Sequence, residues 1–226
     1  MLKNMLKNML DKAFEYSYSK NKQNISRRLE ERALDSTCAY IEKSMAVIKP
    51  QKSAFDVMNT ALSHVKLEGL ICEFGVFSGN SINHIASKIS QVVHGFDSFE
   101  GLPEFWRDGF DKGAFEVSSL PNVHANVQLH KGWFNDTLPT FAEEHKEVIS
   151  LLHIDCDLYS STKTIFELLG DRIVTGTVIV FDEYFNYPLW QHGEYKAFQE
   201  FVRSKDIRYR YITYNLYHEQ VAVIIE

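Results

Sequence analysis

The sequence predicts an α/β protein. Its core is a doubly wound, mostly parallel seven-stranded sheet that closes with an antiparallel hairpin and follows an N-terminal helical extension. Three observations predict it. From Leu70 onward, short apolar runs alternate with helical stretches, the pattern of a parallel sheet covered on both faces. Two β-rich runs, YRYITYN and QVAVIIE, end the chain in the manner of a hairpin. Glu73, Asp97, Lys131, Asp155 and Asp182 stand at the ends of successive apolar runs, and ligands of a doubly wound sheet lie outside the carboxyl ends of its strands.

Composition narrows the class further. With 226 residues, 45% of them hydrophobic, the chain suits one packed core better than two. The expected division is a helical extension over 1–65, for packing, oligomerisation or substrate cover, and one domain over 66–226. A net charge of −6 with scattered basic residues argues against nucleic acid as a partner. Cys38, Cys72 and Cys156 show no CxxC spacing, which argues against a disulfide framework or a zinc site and for a reducing cytoplasm. No apolar run reaches the roughly 20 residues that span a bilayer. The opening MLKNMLKNMLDK interrupts its apolar residues too often for a signal peptide.

The elements follow in order. Met1, Leu2, Met5, Leu6, Met9, Leu10, Ala13 and Phe14 fall near one face of a first helix, with Lys3, Asn4, Lys7 and Asn8 opposite. That face suits packing or a homodimer or higher homo-oligomer; a membrane-surface helix is the lesser reading. SYSKNKQN reads as a linker. Helices are expected over about 25–47, stopping before Pro50, and over 54–65. LICEF, VVHGF, VQLHK, VISLLHI and TVIVF read as strands. Helices are expected from near Gly79, over 140–145, over about 160–169 and over 194–203. Between the second and third strands, Ser98 to Ala125 is long and irregular, as functional lids and binding loops are.

Three of these segments carry chemistry. In EFGVFSGNS, Gly75 and Gly79 allow a tight turn with close approach to a ligand. The helix start beyond presents free N–H groups, and Ser81 adds a hydroxyl. The spacing Gly-x-x-x-Gly departs from the dinucleotide fingerprint. Glu73 would repel a pyrophosphate yet suit an ammonium, and S-adenosylmethionine carries both an ammonium and a carboxylate. Asp97, 24 residues after Glu73, is placed to accept from ribose hydroxyls. Phe77, Phe99 and Trp133 are candidate walls for the adenine or the methionine tail.

The acids Asp155 and Asp157 of LLHIDCDLYSS and Asp182 and Glu183 of VIVFDEY end two core strands. Four such groups are costly without a cation among them. Asp155, Asp182 and Glu183 would converge if those strands are neighbours, and hard oxygen ligands favour Mg²⁺ or Ca²⁺. A magnesium ion would orient a substrate hydroxyl and lower its pKa. Asp157 is then the candidate general base, with a helix-capping role as the alternative. His192, in YPLWQHGEY, is another candidate base. His153 reads as a structural or supporting histidine, and Cys156 as a core residue.

In chain order, EFGVFSGNS, FDSFEGLP, KGWFNDTLP, HIDCDLYSST and VIVFDEY resemble the macrocin O-methyltransferase family (TylF, MycF and NovP type). The likeness runs from about Leu70 to Val202. It implies a class I methyltransferase fold and a sugar O-methyltransferase using S-adenosylmethionine and Mg²⁺. It further implies that Glu73, Gly75, Ser81, Asp97 and Ser98 contact the cofactor. Phe77, Gly79, Gly132, Trp133 and Asp155 complete the cofactor set. Asp155, Asp182 and Glu183 are implied as the metal ligands, and Asp157 as the base. The family usually has Asp-Gly-Asp where this chain has Asp155-Cys156-Asp157, and Asp-Asp where it has Asp182-Glu183.

The expected function is therefore a Mg²⁺-dependent O-methyltransferase of natural-product pathways. Its partner is a small-molecule hydroxyl acceptor, a sugar favoured. Rival readings are a metal-dependent glycosyltransferase with a DxD motif, a dehalogenase-type phosphatase, and a non-catalytic interaction protein on a methyltransferase fold. Too little chain follows Asp157 for the phosphatase fold.

Overall fold

A computed structural model describes residues 2–226, the side chains of residues 2–4, 18, 19 and 21 excepted. Met1 and the side chains of Leu2, Lys3 and Asn4, placed above on the faces of the first helix, lie outside the described residues. Three helices, α1 (Leu2–Lys22), α2 (Ile25–Ser44) and α3 (Ala54–His64), precede the first strand. The strands are β1 (Leu70–Phe74), β2 (Val93–Asp97), β3 (Val127–Lys131), β4 (Ile149–Ile154), β5 (Val178–Phe181), β6 (Tyr209–Tyr214) and β7 (Val221–Ile225). Between them run α4 (Asn80–Ala86), α5 (Phe134–Glu144), α6 (Tyr159–Leu169) and α7 (Glu194–Ser204).

The seven strands form one sheet in the order β3-β2-β1-β4-β5-β7-β6. The first five are parallel, and β7 enters antiparallel between β5 and β6. The sheet is the one the sequence predicts. Its central strands are buried at every position, so each reads as an unbroken apolar run. Alternate side chains go to opposite faces. On one face, Cys72, Phe74, Leu152 and Phe181 pack with α5, α6 and α7 through Leu138, Phe166 and Phe198. On the other, Ile71, Val93, Leu151 and Val180 pack with α3 and α4 through Val57, Met58, Ile82 and Ile85. The chain reverses its winding between β1 and β4, and a cleft opens there.

Two expectations need correction. The stretch read as a linker, Ser17–Asn24, is helical as far as Lys22. It holds neither Gly nor Pro, and Lys and Gln are good helix formers. The break comes only at Asn24, whose side chain accepts the Arg27 N–H and starts α2. The helix expected over 140–145 begins at Phe134 and contains Pro139. Proline forgoes one helical N–H bond, and burial of Leu138 and Phe141 on the sheet offsets that loss. Among the described residues no helix is long and apolar enough to cross a membrane.

Candidate active site

The site lies at the carboxyl ends of β1, β2, β4 and β5. After β1 the chain turns through Gly75 (φ 93°) and Phe77 (φ 44°) before α4. Gly75 passes so close to β4 that an added Cβ would lie 1.6 Å from the Asp155 carbonyl oxygen. No other residue fits there. Asp97 fixes this turn from the end of β2. One carboxylate oxygen accepts the N–H groups of Val76 and Phe77, each at 2.8 Å, and the other accepts the Phe99 N–H at 2.6 Å. Phe99 is itself left-handed (φ 59°), and non-glycine residues with positive φ gather at functional sites.

The acids come from β4 and β5, which pair in parallel as far as Ile154 and Phe181. One ligand atom each from His153, Asp155 and Asp182 lie within 4.8 Å of one another. Gln220, just before β7, donates to Asp182 at 2.9 Å. Glu183 is buried, and its Oε2 finds no hydrogen-bond partner. Burial, and then the charge of Asp182, pushes the Asp155 and Glu183 carboxyls well above the usual carboxylate range. Asp157 is buried in a left-handed conformation (φ 63°). Burial raises its carboxyl to about 7, against an opposing pull from Arg107. It does not cap the following helix, since the N-cap of α6 is Leu158. Cys156 is buried with its sulfur 3.5 Å from the Thr162 hydroxyl, and burial pushes its thiol up.

One cavity of about 510 Å³ joins these two halves. Of the residues singled out in the sequence, Gly75, Phe77, Asp97, Ser98, Gly132 and Trp133 line it. So do Asp155, Asp157, Asp182 and Glu183. Four others do not. Glu73 is fully buried beneath the turn, where it accepts from the Ser81 hydroxyl (3.0 Å) and meets His153 Nδ1 (2.8 Å). Each carboxylate oxygen of Glu73 thus has a partner within the protein, and the Ser81 hydroxyl is one of them. Gly79 serves instead as the left-handed N-cap of α4. His192 is exposed, on a short turn anchored by buried Trp190, whose ring packs edge-on against Tyr40 and Tyr195. His153 is where a supporting histidine belongs. Burial alone would lower its pKa, but the bond to Glu73 and that group's charge raise it.

Sequence reasoning missed Arg107, Glu219, Gln220 and Glu194. Arg107 lines the cavity from the long loop, lies 3.8 Å from the Trp106 ring centroid, and forms an ion pair with Glu219 at 2.9 Å. An arginine set among aromatics in EFWRDGF was the available signal. Ser160, near the start of α6, ties the same loop down by donating to Glu104 at 2.6 Å.

Asp155 and Asp182 offer the hard oxygens that suit a divalent cation, and the third group converging with them is His153. Glu183 is not one of the three, though its buried Oε2 is an acceptor left without a partner.

Comparison with known proteins gives the family and the fold. The methyltransferase domain family matches residues 72–184, half of the chain. The demethyldecarbamoylnovobiocin O-methyltransferase of Streptomyces niveus is 28% identical over 122 residues, covering 45% of each chain. The 8-demethyl-8-(2,3-dimethoxy-alpha-L-rhamnosyl)-tetracenomycin-C 4'-O-methyltransferase of Streptomyces olivaceus is 34% identical over 144 residues, 51% of this chain and 53% of that one. The chain thus spans about half the length of the curated relatives it matches. Among solved structures, the calicheamicin methyltransferase CalS11 superposes with a TM-score of 0.60 at 21% identity, covering 88% of this chain and 90% of its own. The O-methyltransferase NovP gives 0.59 at 22%, covering 75% and 79%. These two likenesses bear on the fold, which is the Rossmann-like fold of class I methyltransferases. The chain belongs to the methyltransferase domain family.

Proposed function

From that membership we propose that the protein transfers a methyl group from S-adenosylmethionine to a hydroxyl of a small molecule, a natural-product sugar favoured, with Mg²⁺ as cofactor. One observation carries the reading: a glycine turn braced by a strand-end aspartate opens into the same cavity as a cluster of four strand-end acids. The relatives named for O-methylation of novobiocin and rhamnosyl-tetracenomycin intermediates support the reaction class and the sugar. The order of the five motifs supports placement with the macrocin-type enzymes.

The roles follow from position. Gly75 and Ser98 border the cofactor, Asp97 faces its ribose, and Phe77 and Trp133 supply apolar walls. Asp155, Asp182 and Glu183 hold the cation, which when bound would orient the acceptor hydroxyl and make it more acidic. Asp157 takes the acceptor's proton as the oxygen attacks the sulfonium methyl. The new O–CH₃ bond forms as the S–CH₃ bond breaks, and the thioether leaves. Asp157 suits this role because its raised pKa lies near neutrality. The loop over 98–125 covers the cavity and keeps water from the sulfonium. The N-terminal helices, with Met5, Leu6, Met9 and Leu10 exposed on α1, serve as the contact of a homo-oligomer.

The test is calorimetric titration with S-adenosylmethionine, with and without Mg²⁺. Micromolar binding supports the cofactor and opens a screen of sugar hydroxyls. No binding in either condition, with binding of a nucleotide-sugar instead, would overturn the reading in favour of a glycosyltransferase.

A further inference from the structure

Beyond β4 and β5 the sheet no longer holds the two acid-bearing turns together. The last ladder contact there is the Asp182 N–H to the Ile154 carbonyl, at 2.9 Å. The residues that carry Asp155, Asp157 and Glu183 lie past that point. One side chain spans the gap. Glu194, the first residue of α7, accepts the Cys156 N–H through Oε1 at 3.4 Å and the Glu183 N–H through Oε2 at 3.3 Å. Its carboxylate thus touches the backbone of both turns at once.

Three further features set Glu194 apart from an ordinary first-turn acid. It is fully buried, whereas helix-start acids are normally solvated. None of the ion pairs found among the described residues includes it. Burial first, and then the like charges of Asp157 and Asp182, disfavour its ionised form. An acid in such a place costs stability that its two backbone hydrogen bonds offset only in part. Gly193, just before it, leaves room for the Tyr187 hydroxyl, which an added Cβ would approach within 2.1 Å.

We propose that Glu194 is the positioning residue of the site: a carboxylate clamp that holds the Asp155-Cys156-Asp157 turn and the Asp182-Glu183 turn at the spacing a divalent cation needs. It touches neither cation nor substrate and acts through the two backbones. The inference rests on the proposed cation-dependent reading.

The test compares wild type with Glu194→Gln, nearly the same shape but with an acceptor at only one end, and with Glu194→Asp, too short to reach both amides. Amide hydrogen exchange needs neither metal nor substrate. In Glu194→Gln, exchange at Cys156 or Glu183 should rise about tenfold or more while β4 and β5 keep their protection. Titration with Mg²⁺ alone should show affinity falling by about tenfold, in the range seen for partners that orient metal ligands. S-adenosylmethionine affinity should change by less than about twofold, and excess Mg²⁺ should restore kcat. Glu194→Asp should resemble Glu194→Gln. Unchanged exchange at both amides in a folded Glu194→Gln would overturn the clamp. So would loss of strand protection in both variants, which would make Glu194 a folding residue. If wild type binds no divalent cation, the reading of the site fails, and the exchange comparison still decides whether Glu194 joins the turns.

Discussion

Arg107 and Glu219 lie 112 residues apart in sequence and meet at 2.9 Å. The pair ties the long loop after β2 to the turn before β7. Arg107 is also the one basic residue, among the described residues, that lines a cavity holding five carboxylates: Asp97, Asp155, Asp157, Asp182 and Glu183. The pair therefore fastens the loop and offsets part of the site's negative charge.

Removing Arg107 should show both effects. In Arg107→Ala, S-adenosylmethionine should dissociate faster, with affinity down about threefold to tenfold, because a partly buried ion pair of this kind contributes about 1 kcal/mol. Arg107 lowers the Asp157 pKa, so its loss should move that titration upward from about 7. Carbon NMR of labelled aspartates in the metal-free protein would read the shift. An unmoved midpoint would show that Arg107 does not face Asp157 in solution.

Asp155→Asn should trade activity for stability. Turnover should fall by at least the roughly 10–100-fold that loss of a ligand's supporting partner costs. Cofactor affinity should stay within a few-fold, since the Asp97-braced turn is untouched. Thermal stability without metal should rise, because an acid disfavoured by burial and by its neighbours is gone. Paired calorimetric and melting measurements would check this; equal losses of turnover, cofactor binding and stability would make Asp155 a folding residue.

The metal-free protein should lose stability as pH rises. Asp155, Glu183 and Glu194 have folded-state pKa values above their unfolded ones. At these three groups the folded chain binds more protons than the unfolded chain once pH exceeds about 4, and their contribution to stability declines from there upward. Added Mg²⁺ should flatten that decline. Denaturant midpoints from pH 5 to 8, with and without Mg²⁺, give the slope directly.

A histidine cluster at the β2–β3 edge should act in the opposite sense. His94 lies 3.1 Å from His130, with the His145 ring at 4.9 Å. Burial first, then His130 and His145, lowers the His94 pKa to about 4. Its neutral form is the folded one, so this contribution is present above about pH 6.5 and is lost as pH falls towards 4. The stability of His94→Phe relative to wild type should therefore grow as pH drops through that window.

Gly75→Ala should not fold well. The added methyl would meet the Asp155 carbonyl oxygen, and φ is 93°. A loss of about 3 kcal/mol or more is expected, read as a large drop in denaturant midpoint or as insoluble expression.

How much of this was legible depended on the range of the interaction. The parallel strands announced themselves because both their faces are buried, and the acids because they interrupt apolar runs. The corrections have local causes. The partners of Glu73 were not legible, because a strand-end rule says where a residue sits and not what surrounds it, and His153 reaches it only through β1–β4 pairing. Arg107, Glu219 and Glu194 left almost no trace. Their meetings depend on the path of an irregular loop, on β7 entering beside β5, and on the docking of α7, none of which has a periodicity to read.

The three amides gathered by Asp97 bear on how this protein can diverge. A side chain that both braces two turns and borders the cavity cannot be exchanged without dismantling its own surroundings. On the proposed function, descendants of this sequence would be held to one donor molecule by that turn. The loop beyond Ser98 is under no such restraint, so novelty in the molecule being modified can accumulate there while the donor stays the same.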